Sequence, residues 1–172
     1  MRRLFSLFFC LLAVSALAEP TEDPATLVKT GQTAPQFKVA TLDGQIFDLK
    51  KARGKVVLVN FFATECPPCM AEMPQLQDRI WKRFQGPHFA LVAIDRDEPP
   101  EMVAAWEKKH PFPFPIACDP QRRVYAKFAR QDIPRNFLLD TNGTVVFESI
   151  GYGPVEFDQL LAAIQKATAN SQ

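Results

Sequence analysis

The chain has 172 residues, and its 20 basic and 19 acidic residues nearly cancel to leave a formal net charge of +1. A chain this close to neutral has no basic field for a phosphate backbone, so we expect no nucleic acid among its partners. The length suits one domain with a substantial core. Three of the four cysteines, Cys66, Cys69 and Cys118, lie beyond the first 18 residues. Three cysteines are too few for the disulfide scaffold of a small secreted protein, so a cysteine motif here needs another explanation.

The first 18 residues have the features of a secretory signal peptide. Two arginines precede an uncharged apolar stretch of 14 residues from Leu4 to Leu17, and Ala16-Leu17-Ala18 is a small-residue cleavage site. A membrane-spanning helix needs about 20 apolar residues, so we predict cleavage after Ala18, with a retained membrane anchor as the alternative. Export to the periplasm or another outside compartment would place the three remaining cysteines in oxidising surroundings.

The first elements after the cleavage site are predicted to be short. Residues 19–30 are polar, contain repeated prolines and threonines, and are predicted to form a flexible leader. Residues 37–49 predict two short strands about an Asp43-Gly44 turn. The apolar, β-branched run from Val56 to Phe62 is typical of a strand that other elements cover on both faces.

The remainder of the chain alternates helical and strand patterns. A helix is predicted to continue to about Phe84, with a kink at Pro74, and a second buried strand covers residues 89–95. A helix, a short strand, a short helix and an antiparallel pair of strands follow. The closing helix is amphipathic, and its inward residues are Phe157, Leu160, Leu161 and Ile164. This order predicts one α/β domain with a mixed sheet over residues 31–169.

Cys66 and Cys69 form a CxxC motif at the junction between the buried strand and the helix that follows. The positive end of a helix dipole lowers the pKa of a thiol near it and so increases the thiolate fraction. We expect Cys66 to attack a substrate disulfide, and we expect Cys69, one turn further along, to resolve the mixed disulfide. The strand–CxxC–helix arrangement predicts a redox pair.

Other uses of two nearby cysteines fit the sequence less well. A structural zinc site usually has four ligands, and Cys118, His88 and His110 lack the spacing of a second pair. Haem attachment needs a histidine after the second cysteine, where Met70 stands. Copper(I) binding by the two thiols stays open as an alternative. We expect Cys118 to be a small buried residue rather than a third redox thiol.

The stretch "VVLVNFFATECPPCMAEMPQL" resembles the TlpA/ResA-like family of exported thioredoxin-fold proteins. "GQTAPQFKVATLDGQIFDLKKARGK" before it and "IPRNFLLDTNGTVVFESIGY" after it are also similar to the family, so the resemblance spans nearly all of residues 31–165. It implies a thioredoxin fold, in which helices flank a mixed central sheet, with an N-terminal β-hairpin and a helical insert near residues 96–118. It also implies thiol-disulfide exchange outside the cytoplasm.

The resemblance assigns roles to individual residues. Cys66 matches the attacking cysteine of the family, and Cys69 matches the resolving one. Ile133-Pro134 matches the cis-proline site that faces the CxxC motif. A cis bond there would present the Ile133 backbone to an extended substrate chain, whereas an ordinary trans turn is the alternative.

Two glutamates are candidates for tuning the cysteines. Glu72 shares a helix face with Cys69 and matches a glutamate of ResA-type members, while the strand position that is acidic in many thioredoxins is Asn60 here. We expect Glu72 to relay the Cys69 proton, with a solvated helix glutamate as the alternative. Glu65 stands where most relatives have tryptophan. Its charge would oppose thiolate formation at Cys66 and make the protein a stronger reductant, and it would also alter the substrate-facing rim.

The leading hypothesis is therefore an exported thiol-disulfide oxidoreductase that acts on protein disulfides or dithiols as a reductant. We expect no bound cofactor and a redox-active Cys66–Cys69 disulfide. The resemblance implies apocytochrome c thiols or misoxidised exported proteins as substrates, and a membrane thiol transporter as electron donor; we expect a monomer. A peroxiredoxin-like peroxidase is an alternative, but it would need a threonine three residues before the cysteine, and Thr64 is two before it.

Overall fold

A computed structural model of the chain describes residues 23–170. The predicted signal peptide and the first residues of the predicted leader lie outside the described residues. Within residues 23–170, none of the helices has both the length and the apolar character needed to cross a membrane.

The centre of the fold is a five-stranded mixed sheet. Its strands, in chain order, are β3 (Val56–Phe62), β4 (Phe89–Asp95), β5 (Ile116–Cys118), β6 (Arg135–Leu139) and β7 (Val145–Ile150), and their order across the sheet is β5-β4-β3-β6-β7. β3, β4 and β5 are parallel to one another, whereas β6 and β7 are antiparallel to their neighbours. All seven residues of β3 are buried, as its continuous apolar pattern predicts. The predicted N-terminal hairpin is present as β1 (Lys38–Ala40) and β2 (Ile46–Asp48).

Helices cover the sheet and connect its strands. They are a 3₁₀ turn (Leu49–Ala52), α1 (Pro67–Gln75), α2 (Lys82–Phe84), α3 (Pro100–Glu107), α4 (Tyr125–Phe128) and α5 (Pro154–Ala169). A π-helical segment, Leu76–Trp81, joins α1 to α2, so the helical path reaches Phe84 as predicted. Pro74 has no N–H to donate to the preceding turn, and the wider hydrogen-bond pattern begins two residues after it. The predicted insert contains α3 and β5.

Side-chain alternation along β3 divides the core into two clusters on opposite faces of the sheet. Leu58 and Phe62 pack on the face that α1 and α5 cover, whereas Val57 and Phe61 pack on the face that carries the hairpin and α4. Asn60 has the same parity as Leu58 and Phe62. Its polar side chain therefore points toward α1, which is the helix that carries the cysteines.

The predicted flexible leader is packed against the domain from residue 23 onward, which differs from the expected domain start at residue 31. Ala25 and Val28 are buried, and Thr26 forms a β-bridge with Ala129. Arg135 is fully buried, and its guanidinium lies 2.7 Å from the Asp23 carboxylate. A buried arginine needs a partner charge; that partner comes from the leader, whose polar composition alone does not reveal this contact.

Candidate active site

Cys66 is the N-cap residue of α1. Its backbone is extended (φ −92°, ψ 106°), and its sulfur accepts a hydrogen bond from the Cys69 N–H at 3.3 Å. Pro67 and Pro68 fill the first turn of α1, where the missing proline N–H costs no helical hydrogen bond. The sulfur thus lies at the positive end of the helix dipole, where the sequence predicts it.

Cys66 and Cys69 are joined in a disulfide, with their Cα atoms 5.2 Å apart. Cys69 is fully buried against the core, whereas Cys66 is partly exposed. An incoming thiol or disulfide can therefore reach the sulfur of Cys66 and not that of Cys69. This difference in exposure matches the predicted roles of attacking and resolving cysteine.

The loop before β6 faces the disulfide. The Ile133-Pro134 peptide bond is cis, and the Ile133 carbonyl oxygen lies 3.9 Å from the Cys66 sulfur. The Tyr125 hydroxyl donates to the Asp132 carbonyl at 2.7 Å, which anchors the loop from the side of α4. The backbone of Ile133 is thus held directly beside the sulfur that substrates can reach.

Glu72 is buried, with 2% of its surface exposed, so the alternative of a solvated helix glutamate is wrong. Both carboxylate oxygens accept hydrogen bonds from amide groups, one from Asn60 Nδ2 at 2.9 Å and the other from Asn136 Nδ2 at 2.7 Å. Asn60 also donates to Asn136 Oδ1 at 2.9 Å. The sequence reasoning did not identify Asn136, although an asparagine within the apolar strand "RNFLL" is a signal that could have indicated it.

Burial raises the pKa of Glu72 from 4.5 to about 7, and the two asparagine amides oppose this rise because they stabilise the carboxylate. Glu72 can therefore hold or release a proton near neutral pH, which is the property that an acid–base group needs. It lies three residues after Cys69, on the same face of α1. The geometry is compatible with the predicted proton relay between these two residues.

Glu65 and Cys118 occupy more open positions. Glu65 is exposed in the loop directly before Cys66. Cys118, at the end of β5, is a free thiol of intermediate exposure, so it is less buried than expected. Burial and the nearby carboxylates of Asp95 and Glu98 raise the pKa of Cys118 to about 12, which keeps it protonated and poorly reactive. Among the described residues, no group of three or more His, Cys, Asp or Glu side chains could hold a metal ion.

Comparison with known proteins identifies the family. A sequence model described as the AhpC/TSA family matches residues 30–148. The chain belongs to this family. It is also 33% identical over 141 residues to the thiol-disulfide oxidoreductase ResA of Bacillus cereus, a match that covers 82% of this chain and 80% of that protein. The resemblance to ResA-like proteins is therefore confirmed.

Solved structures agree with this assignment. A proposed protein disulfide isomerase from Bacteroides thetaiotaomicron superimposes with a TM-score of 0.80 at 36% identity, covering 84% of this chain and 93% of that one. A thiol:disulfide interchange protein from Chlorobium tepidum superimposes with a TM-score of 0.66 at 27% identity, covering 86% and 99%. The predicted thioredoxin fold is confirmed. With the disulfide at the start of α1, these similarities make the chain a thiol-disulfide oxidoreductase.

We predict that Glu72 makes the oxidised protein less stable as the pH rises. Its folded pKa of about 7 exceeds the ordinary value of 4.5, so the folded state keeps a proton that the unfolded state loses between these values. The contribution of Glu72 to the free energy of unfolding should fall by about 3 kcal/mol between pH 4 and pH 8. Urea unfolding of the parent and of Glu72→Gln across this range measures it.

The Glu72→Gln variant cannot lose this proton, so its stability should exceed that of the parent increasingly as the pH rises. Glu101→Gln, at an exposed position of α3, is the matched control and should follow the parent curve. A stability difference between parent and Glu72→Gln that does not change with pH would contradict the raised pKa.

Proposed function

We propose that the protein is an exported oxidoreductase that reduces disulfide bonds in other proteins. The observation that carries the proposal is the position of Cys66: its partly exposed sulfur lies at the start of α1, bonded to a buried Cys69 and facing the Ile133 carbonyl. This arrangement offers one sulfur to a substrate and keeps the other for the second step.

In the reduced protein, the Cys66 thiolate attacks one sulfur of a substrate disulfide. A mixed disulfide forms, and the other substrate sulfur leaves as a thiolate. The Cys69 thiolate then attacks the Cys66 sulfur, which forms the Cys66–Cys69 disulfide and releases the second substrate sulfur. Two electrons have passed from the protein to the substrate. The described structure, with its Cys66–Cys69 disulfide, is the oxidised form that these two steps produce.

The substrate chain would lie along the loop before β6. The Ile133 backbone is beside Cys66, and Pro134 is buried beneath it, so an extended segment that carries a disulfide could pair with this backbone as an added strand. Backbone pairing depends little on side chains. This mode of binding would suit a reductant that acts on more than one protein.

Glu72 would serve the second step. Cys69 must lose its proton before it attacks, and its burial makes the thiolate costly. Glu72 is equally buried and can accept a proton near neutral pH, while the amides of Asn60 and Asn136 keep its carboxylate oriented. The proton that leaves Cys69 would thus be held within the core until the disulfide has formed.

The finer assignments follow from the resemblance to exported relatives. The signal-peptide pattern supports secretion to the periplasm or a similar compartment. Apocytochrome c thiols or misoxidised exported proteins would then be substrates, and a membrane thiol donor would restore the reduced form after each cycle. We propose a monomer as the working unit, because the exchange site is complete within one chain.

Copper(I) binding at the two thiols and peroxidase activity are the alternative functions. A peroxidase would need a threonine hydroxyl near the attacking cysteine. The Thr64 hydroxyl instead donates to the Glu98 carboxylate at 3.0 Å. No specific observation favours either alternative over disulfide exchange.

We predict that Cys66→Ser/Cys69→Ser abolishes the reduction of insulin by dithiothreitol above the uncatalysed rate. Cys69→Ser alone should accumulate a mixed disulfide, because the resolving thiol is gone, whereas Cys118→Ser should retain activity. A parallel titration with Cu(I) tests the alternative. Full activity in the double serine variant, or tight copper binding without turnover in the parent, would reject the proposal.

We predict that Glu72→Gln slows insulin reduction at least about tenfold at neutral pH, because glutamine cannot accept the Cys69 proton. Rapid-quench measurements should show that the decay of the mixed disulfide slows while its formation does not. Glu101→Gln serves as the control. If the thiol titration and both exchange rates are unchanged in Glu72→Gln, Glu72 is not the relay.

We predict that Glu65→Trp raises the reduction potential by roughly 20 mV, equivalent to about 1 kcal/mol. Removing a negative charge beside Cys66 favours its thiolate and hence the reduced form. Equilibration with glutathione measures the potential. Glu65→Gln removes the charge without adding a ring and should produce most of the same rise; a rise in the tryptophan variant alone would show that charge is not the cause.

A further inference from the structure

The loop that leads into Cys66 is attached to a carboxylate from another part of the chain. Thr64 donates twice to Glu98: its backbone N–H to Oε2 at 2.7 Å and its hydroxyl to Oε1 at 3.0 Å. Glu98 lies 34 residues away in sequence, in the connection between β4 and α3. These two bonds fix the loop two residues before the attacking cysteine.

A second carboxyl group lies next to Glu98. Asp95, the last residue of β4, is fully buried. Its Oδ1 accepts from the backbone N–H of Glu98 at 2.7 Å and of Asp97 at 3.2 Å. Its Oδ2 is buried and has no hydrogen-bond partner among residues 23–170. A buried carboxylate oxygen without a donor is costly, so its environment calls for an explanation.

A proton on Asp95 would explain how this buried oxygen is accommodated. The Glu98 backbone N–H donates to Asp95, and the carboxyl group of each residue shifts the pKa of the other. Two neighbouring carboxylates cannot both ionise cheaply. If Asp95 keeps its proton, its O–H can donate to the Glu98 carboxylate, and the orphaned oxygen gains a partner. Glu98 then stays ionised and accepts from Asp95 and Thr64 together.

We propose that Asp95 and Glu98 share one proton and act as positioning residues, holding the Thr64–Cys66 loop and setting the charge beneath the attacking cysteine. The inference rests on the proposed exchange reaction at Cys66 and names two residues that act on it indirectly. Neither residue needs to touch the substrate.

The electrostatics of the site agree with this arrangement. Burial, and after it the Glu98 carboxylate, raise the pKa of Asp95. Burial alone would raise the pKa of Glu98 as well, but the hydrogen bonds from Asp95 and Thr64 outweigh it and lower that pKa. The pair therefore divides into one acid and one carboxylate near neutral pH, as expected for coupled groups that share a proton.

Other ionisable groups lie on the elements around Asp95. Cys118 faces it from β5, where the two residues are register partners, and this thiol stays neutral. On the same loop, Arg96 lies over the Tyr125 ring and Asp97 pairs with Arg122. Asp119, which follows β5, accepts backbone N–H groups at the start of α4. Glu98 is thus the charged side chain that decides the protonation of Asp95.

A pH dependence follows from the shared proton. At neutral pH the pair carries one negative charge. When the pH rises and Asp95 loses its proton, a second charge develops beneath the loop, and ionisation of Cys66 becomes less favourable. The reactivity of Cys66 should then rise with pH less steeply than that of a single isolated thiol.

The test measures the rate of Cys66 alkylation by iodoacetamide from pH 5 to pH 10, with the modified peptide quantified by mass spectrometry. The reduced full chain carries Cys69→Ser and Glu72→Gln, so that neither Cys69 nor Glu72 titrates in this range. In this background the rate should fall about threefold below a single-proton curve at alkaline pH. Asp95→Asn removes the group that titrates and should restore the single-proton curve. Glu98→Gln removes only the neighbouring charge, so Asp95 should lose its proton more easily and the deviation should move to lower pH. Asp97→Asn removes a charge from the same loop without touching Thr64, and it should keep the deviation.

A second measurement separates the loop contact from the charge. Hydrogen exchange of the Thr64 amide should accelerate at least about tenfold in Glu98→Ala, which lacks an acceptor, and should stay near the parent rate in Glu98→Gln, whose amide oxygen can still accept. Should Glu98→Ala fail to fold, Thr64→Val, which loses only the hydroxyl bond, should show a smaller acceleration.

The proposal is overturned if the Cys69→Ser/Glu72→Gln background gives the same alkylation curve with and without Asp95→Asn or Glu98→Gln. Glu98 would then be only a structural contact, even if Thr64 exchange changes. It is also overturned if Thr64 exchange is unaffected by Glu98→Ala. Neither readout requires substrate turnover. The proposed reductase function fails by a separate result, namely insulin reduction by Cys66→Ser/Cys69→Ser, so the two failures can be told apart.

Discussion

The connection from β3 to α1 is the constraint on which the site depends. β3 is buried along its whole length and is bonded to β4 on one side and β6 on the other, so its end cannot shift without disturbing the centre of the sheet. Cys66 follows this end after a loop of three residues and caps α1. The position of the sulfur at the helix N-terminus is therefore fixed by the central, fully buried strand of the sheet. The same strand directs Asn60 toward α1, so the proton chemistry of Glu72 is fixed by the same element as the disulfide.

Acidic side chains lie in the loop and helix that carry the disulfide or are hydrogen-bonded next to them, and burial determines how each behaves. Glu65 is exposed, and water screens its charge. Glu72 is buried among amide donors, which allows it to change protonation near neutral pH. Asp95 is buried beside another carboxyl group and is pushed toward the neutral form. Identical chemical groups thus acquire different properties from their surroundings, and in no case does the sequence position alone reveal the difference.

The features that could be predicted from the sequence are those that depend on neighbouring residues along the chain. The run Val56–Phe62 predicts a covered strand, and the CxxC motif after it predicts the redox pair; the proline site came from family resemblance. The contacts that it missed join distant segments: Asn60 to Asn136 over 76 residues, Thr64 to Glu98 over 34, and Asp23 to Arg135 over 112. Each involves a polar side chain whose burial is set by tertiary packing, and local periodicity contains no information about that partner.

The direction of electron flow depends on which charges the reduced form must tolerate. The dipole of α1 stabilises a thiolate at Cys66 and so favours the reduced state. Glu65 precedes the sulfur in the chain, and Glu98 is hydrogen-bonded to Thr64 in the same loop. On our proposal both act in the opposite sense, because each adds negative charge to the segment that carries Cys66. A thiolate at Cys69 would additionally share a buried region with Glu72, and two negative charges there would be costly, so one proton should stay between them. Three acidic contributions therefore destabilise the reduced form, and one helix terminus stabilises it. This balance supports the proposal that the reduced form gives up its electrons readily, as a reductant of other disulfides requires.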